Sequence, residues 1–274
     1  MKRLAHLSER GVITVEGDDR VAFLQGLVSN DVAAAKPGQA VWAALLSPQG
    51  KWLADFFVFA VDGSLKLDCE RAQIPMLIQR LARYRLRMRV ALAEDVQSQV
   101  YVAWGGQPGV AGAVAPDPRL PDFAWRILSA ADLQTNASPV DWDRHRLNAG
   151  LPDGSRDMET DRSVLLEAGF DELAGVSWTK GCYMGQELTA RTKYRGLVKR
   201  RLVPVAIDGP LPPPGTPVLR DGVEVGTMRS SLDQSGLAIL RLDSLGHPLH
   251  CGAARLIPQI PAWMHLPEAA SARV

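Results

Sequence analysis

Residues 39–69 read QAVWAALLSPQGKWLADFFVFAVDGSLKLDC, and their layout decides the fold class. Three largely apolar runs, 41–46, 52–61 and 64–69, are cut by two turns of specific chemistry. Ser47-Pro48-Gln49-Gly50 places Ser at the first, Pro at the second and Gly at the fourth position of a type I turn. Asp62-Gly63 between apolar runs is a two-residue hairpin signal. Connections this short join antiparallel neighbours, so the segment is predicted to be a three-stranded antiparallel meander.

On the amino-terminal side, residues 11–17 alternate apolar and polar side chains between glycines, the pattern of a short strand. Asp18 and Asp19 are suited to cap a following helix, and Phe23, Leu24, Leu27 and Val28 recur at helical spacing up to a stop near 29–31. On the carboxy-terminal side, Ile74, Leu77, Ile78 and Leu81 mark an amphipathic helix. Residues 84–90 then alternate strictly, predicting a strand with Arg85, Arg87 and Arg89 on one face, either solvated or a landing surface for an anion. Residues 105–121, rich in Gly, Ala and Pro, are expected to form a long surface connection between strands near Val100 and Trp125. A helix is expected over 140–147 and an exposed loop over 150–161.

Composition changes near Asp208, where Gly209-Pro210-Leu211-Pro212-Pro213-Pro214-Gly215 excludes regular structure. Beyond it lie a hairpin around Asp221-Gly222 and a strand over 237–242. With a strand over 201–207 these suggest a small carboxy-terminal β-barrel or sheet. A length of 274 residues favours two domains, expected over 1–200 and 201–274 in an α+β fold.

Thirty-one Lys and Arg against thirty Asp and Glu leave a formal charge of +1, which argues against direct nucleic-acid binding. The first ten residues hold no apolar stretch of signal-peptide length, and no run of ~18 apolar residues occurs, so no membrane partner is expected and the expected location is the cytoplasm. Only three cysteines occur, Cys69, Cys182 and Cys251, with no Cys-x-x-Cys pair. They cannot make a four-cysteine metal or cluster site, and no metal site is expected.

The chemistry concentrates in residues 178–191, where Gly181 and Gly185 flank Cys182 and Lys180 stands two residues before it. Glycines so placed allow a tight, irregular turn. A helix over 186–191 would put Cys182 just ahead of a helix amino terminus, which with Lys180 favours a thiolate. Cys69, at a strand end, and Cys251, between His250 and Gly252, read as small buried hydrophobes. Arg191, Lys193, Arg195, Lys199, Arg200 and Arg201 then make a dense basic stretch, either a solvated face or a site for a polyanionic small molecule or acidic partner.

The run Lys180-Gly181-Cys182-Tyr183-Met184-Gly185-Gln186-Glu187, continued by Ala190-Arg191-Thr192-Lys193-Tyr194-Arg195-Gly196, resembles the motif of the YgfZ family, folate-binding relatives of the glycine-cleavage T-protein (aminomethyltransferase). Weaker similarity reaches Phe23-Leu24-Gln25-Gly26-Leu27, Asn30-Asp31 and Ser47-Pro48-Gln49-Gly50-Lys51, so it spans nearly the whole chain. The resemblance implies a T-protein-like body of interleaved ferredoxin-like units around a folate pocket, with a carboxy-terminal β-barrel. It implies tetrahydrofolate or a folate derivative as cofactor, and a role in assembling, maintaining or repairing iron-sulfur enzymes, tRNA-modifying ones included, as client partners. On this resemblance Cys182 and Lys180 become candidate catalytic residues, and Tyr183, Gln186, Glu187, Arg191, Arg195, Asn148 and Glu167 candidate cofactor contacts. The chain departs from aminomethyltransferases at Asn148, where they carry a pterin-holding glutamate, and at Gln73, the nearest equivalent of their catalytic aspartate. A folate-dependent one-carbon transferase and a non-catalytic scaffold for an acidic partner are the alternative readings.

Overall fold

A computed structural model describes residues 1–266. Residues 267–274, the end of the expected carboxy-terminal domain, lie outside the described residues. The chain divides into two compact units, Met1–Trp142 with Leu173–Gln186, and Asp143–Glu172 with Glu187–Val274.

The first unit holds β1 (Arg3–His6), β2 (Arg10–Glu16), α1 (Arg20–Gln25), β3 (Val41–Leu46), β4 (Trp52–Val61), β5 (Ser64–Glu70), α2 (Ile74–Ala82), β6 (Ala91–Glu94), β7 (Gln99–Trp104), β8 (Ala113–Pro116) and β9 (Trp125–Ser129). The predicted meander is present as β3-β4-β5 and extends through β2 to β6 in a five-stranded antiparallel sheet. Its turns have the expected geometry. Gly50 N donates to Ser47 O at 2.8 Å, and Asp62 and Gly63 take φ of 46° and 75°, the doubly left-handed form of a tight hairpin.

The meander runs are apolar without alternation because this sheet is covered on both faces. One face packs Phe56, Val58 and Leu67 against Phe23, Leu24, Leu77 and Leu81 of α1 and α2. Phe57 and Trp42 lie under Arg10, Arg119 and Arg126, with the Arg126 guanidinium 4.0 Å from the Phe57 ring centre. Those arginines are buried but paired, Arg10 and Arg126 with Asp68, and Arg119 and Arg126 with Asp117. A second sheet, ordered β1-β7-β9-β8, supplies Arg126 from β9.

Four expectations are corrected. α1 ends at Gln25 rather than near 29–31, and the Asp19 side chain accepts from Arg89 N at 2.7 Å instead of capping α1. Residues 84–90 are turns, not a strand, because Leu86 adopts φ +48° and breaks the extended run. The 105–121 connection contains β8, paired to β9. The 150–161 segment is no exposed loop: Leu151, Gly154, Asp157 and Met158 are buried.

The last correction has an electrostatic cause within the second unit. The buried Arg146 of α3 (Pro139–Ala149) pairs with Asp157 of α4 (Gly154–Asp157) and with Asp143 at 2.6 Å. Asp157 also accepts from Ser230 Oγ at 2.6 Å, so the carboxylate drawn inside is held by a cation and a hydroxyl. Past α5 (Gln186–Tyr194), the strands β10 (Arg200–Asp208), β11 (Pro217–Arg220), β12 (Val223–Leu232), β13 (Ser235–Arg241), β14 (Leu249–Cys251) and β15 (Ala254–Pro258) close into a six-stranded barrel ordered β10-β13-β12-β11-β14-β15. Val203, Val205, Val218, Leu240 and Leu256 fill it. The sequence lacked a signal for β14 and β15, each at most five residues long.

Candidate functional site

Residues 177–186 form an irregular turn seated on the 26–30 and 46–50 segments of the first unit. Ser29 and Asn30 prepare that seat. Ser29 Oγ donates to Gly175 O at 2.7 Å and accepts from Ala44 N at 2.9 Å. Asn30 Nδ2 donates to Trp42 O at 2.8 Å and Ala174 O at 2.7 Å. Short polar side chains that bond backbone in this way stop helices, which is why α1 gives way here to a loop platform.

Lys180 fastens the turn. Its Nζ donates to Val28 O at 2.8 Å and Asn30 O at 2.7 Å, and lies 5.3 Å from the ring centre of the buried Tyr183. Burial pushes the amine down to about 8, opposed by the Asp31 carboxylate. Met184 N donates to Gly26 O at 3.2 Å, and the Gln186 side-chain oxygen accepts from Tyr183 N at 3.3 Å. Gly185 has φ +79°, and a Cβ there would lie 2.7 Å from Ser47 O and 2.9 Å from Leu46 Cβ. Only glycine meets both demands.

Within this anchored turn Cys182 alone of the three cysteines is exposed. It stands four residues ahead of Gln186, the first residue of α5, and the lysine beside it spends its hydrogen bonds on carbonyls. Cys69 and Cys251 are buried as expected; burial raises both thiols, Cys69 to about 12.

The other predicted residues fall into separate settings. Lys180, Tyr183 and Gln186 are brought together around the turn, while Glu187 is exposed at the start of α5. Arg191 and Arg195 are exposed one turn apart. Asn148 is exposed and its Oδ1 accepts from Ser235 Oγ at 3.1 Å. Glu167 holds Arg200 through two 3.2 Å contacts on a polar cavity also lined by Glu159, Arg162 and Arg229. Among the described residues no acidic side chain pairs with Arg191 or Arg195, and guanidiniums at i,i+4 are the donor type that takes a dicarboxylate. The sequence reading missed the Val28 and Asn30 carbonyls, because backbone acceptors carry no residue-type signal. Among the described residues no group of three His, Cys, Asp or Glu is placed to hold a metal ion, and no helix is long and apolar enough to cross a membrane.

Residues 199–266 match the family described as CAF17, C-terminal beta-barrel domain. The fold is that of the glycine cleavage system aminomethyltransferase T from Bartonella henselae, with TM-score 0.76 over 96% of this chain and 86% of that one at 14% identity. The chain is 38% identical over 229 residues to an IBA57 homolog of Mycosarcoma maydis, a mitochondrial iron-sulfur cluster assembly factor by name, covering 74% of this chain and 57% of that protein. It is 32% identical to the human mitochondrial iron-sulfur cluster assembly factor IBA57 across 94% of this chain and 84% of the human one.

These relatives sharpen one expectation and correct another. They carry the name IBA57 rather than YgfZ. They are mitochondrial by name, which conflicts with placement in the cytoplasm, and that placement is withdrawn. Organelle transit segments are amphipathic rather than apolar, so the lack of a long apolar run carries no information about them. A T-protein-like fold, a CAF17-type barrel and 32% identity across most of the human protein's length establish that the chain belongs to the IBA57 family of iron-sulfur cluster assembly factors.

Proposed function

We propose that this protein supports iron-sulfur cluster assembly by presenting Cys182 as a single working thiol, and that it binds tetrahydrofolate or a related folate. The observation that carries this reading is the contrast at the turn. Lys180, Tyr183, Met184 and Gly185 are each held in place, yet the thiol between them faces solvent. A pinned loop with one exposed soft ligand suits hand-over of iron to a client, because the sulfur is oriented before the partner arrives. One cysteine leaves the remaining coordination positions to the client, so the cluster is cargo and not a resident cofactor.

The folate half rests on the motif resemblance and on the exposed Arg191 and Arg195. Lys180 is given a positioning role rather than a chemical one, since both its hydrogen bonds hold backbone.

The test is complementation of a strain lacking the protein, scored by the activity of [4Fe–4S] reporter enzymes, a tRNA-modifying one among them. Cys182→Ala should fail to restore them, and full restoration would sink the thiol role. Titration calorimetry of tetrahydrofolate against wild type and Cys182→Ala separates the halves. Equal binding to both, lost in Arg191→Glu/Arg195→Glu, is the expected result, and no binding to wild type removes folate.

A further inference from the structure

A second feature stands apart from the cysteine turn. Residues 80–89 hold Arg80, Arg83, Arg85, Arg87 and Arg89 and no acidic residue, five positive charges in ten positions of a chain whose net charge is +1. The alternation of Tyr84, Leu86, Met88 and Val90 would turn all four inward in a strand. Instead Tyr84 and Met88 pack against the first unit's core, Val90 is buried, and Leu86 is turned outward, 86% exposed. Turn bonds from Arg85 N to Ala82 O (3.2 Å) and from Met88 N to Arg85 O (2.8 Å) hold this shape, as does the bond from Arg89 N to Asp19 Oδ2.

Leu86 sits at φ +48°, a region that costs a branched side chain free energy. No burial offsets that cost within the described residues. Arg89 reaches Asp18 at 2.9 Å and Asp19 at 3.8 Å, but no acidic side chain of the described residues pairs with Arg80, Arg83, Arg85 or Arg87. Leu86 thus joins a costly backbone conformation to an exposed apolar side chain, among four arginines without an acidic partner in the described residues.

We propose that residues 80–89, the last turn of α2 and the loop after it, are a docking surface for a carboxylate-rich protein that offers an apolar socket to Leu86. All five cations are arginine, whose planar fork pairs two-pronged with carboxylates and which is enriched at protein–protein interfaces. The loop is pinned at both ends and presents one apolar anchor, which fits a shaped protein surface. A membrane would call for a larger apolar insertion, and single-stranded nucleic acid for exposed aromatic rings, whereas Tyr84 is half-buried.

The test uses the full chain and two synthetic Glu/Asp-rich peptides, one with a single leucine and one with serine in its place, followed by fluorescence anisotropy at low salt. The leucine peptide should bind more tightly, Arg83→Glu/Arg85→Glu should weaken it about tenfold or more, and Leu86→Ser should erase the preference for leucine. Lys199→Glu, on the other basic stretch, should leave binding unchanged. Leu86→Gly should weaken the leucine peptide while raising Tm by roughly 2 °C through release of strain. Peptide binding that ignores the loop substitutions, a lower Tm in Leu86→Gly, or tighter loop-dependent binding of phosphatidylserine vesicles or poly(U) RNA would overturn the proposal.

Discussion

The Lys180 ammonium donates to the backbone carbonyl of Asn30 at 2.7 Å, joining residues 150 positions apart in sequence. Replacing it by methionine leaves the Val28 and Asn30 carbonyls without this donor, at an expected cost of about 2 kcal/mol. The loss depends on pH in a defined sense. The unfolded chain keeps this proton up to ~10.4, while the folded amine releases it at about 8. Wild type therefore gains unfolding free energy relative to Lys180→Met as pH rises from about 8 to about 10. Urea titrations across that range check it, and a constant difference would refute the depressed amine.

Thiol accessibility gives a second prediction. In the native protein one equivalent of Ellman's reagent should react quickly, and denaturant should release the two buried thiols, Cys69 and Cys251. Cys182→Ser should remove the fast phase and shift Tm by less than about 1 °C, because an exposed side chain contributes little to packing.

The paired charges over Phe57 set the acid limit of the first unit. Burial alone would raise the Asp117 carboxyl, but Arg119 and Arg126 outweigh it and hold the group well below the usual carboxylate range. Its stabilisation is complete above ~3.9, where the unfolded carboxyl titrates, and is shed as pH falls toward the folded value. Asp117→Asn should cost about 3–5 kcal/mol at neutral pH by leaving two buried guanidiniums underpaired. Below pH ~4 the gap to wild type should narrow, as guanidinium titrations at several pH values would report.

Gly185→Ala tests the seat of the turn. A methyl group 2.7 Å from Ser47 O, at φ +79°, cannot be accommodated without movement. The expected loss is about 2–3 kcal/mol, with altered alkylation kinetics at Cys182. Gly181→Ala, where a Cβ meets nothing within 4 Å, should be near neutral by the same measurements.

Where local chemistry and tertiary packing agreed, the fold was legible. The meander, its turns at Ser47–Gly50 and Asp62-Gly63, α2 and the hairpin around Asp221-Gly222 were all read from residue type and spacing. Reading failed where long-range partners decide the outcome. The polar residues of 150–161 look solvent-facing until the buried Arg146 draws Asp157 inside. The alternation over 84–90 is genuine, but one residue with positive φ turns it into a loop. At the site, Cys182 and its flanking glycines stood out, whereas the use of Lys180 as a fastening depends on carbonyls that folding brings to it.

The seat at residues 26–50 leaves the ribosome long before the turn that occupies it. The cysteine loop is thus completed late, by contacts of high sequence separation that give no local reward until the meander stands. A chain cut short before residue 180 carries the seat without the sulfur, and a full-length chain with an unformed meander carries the sulfur without its orientation. Display of Cys182 on its seat therefore requires both that residues 177–186 have been made and that the meander has formed.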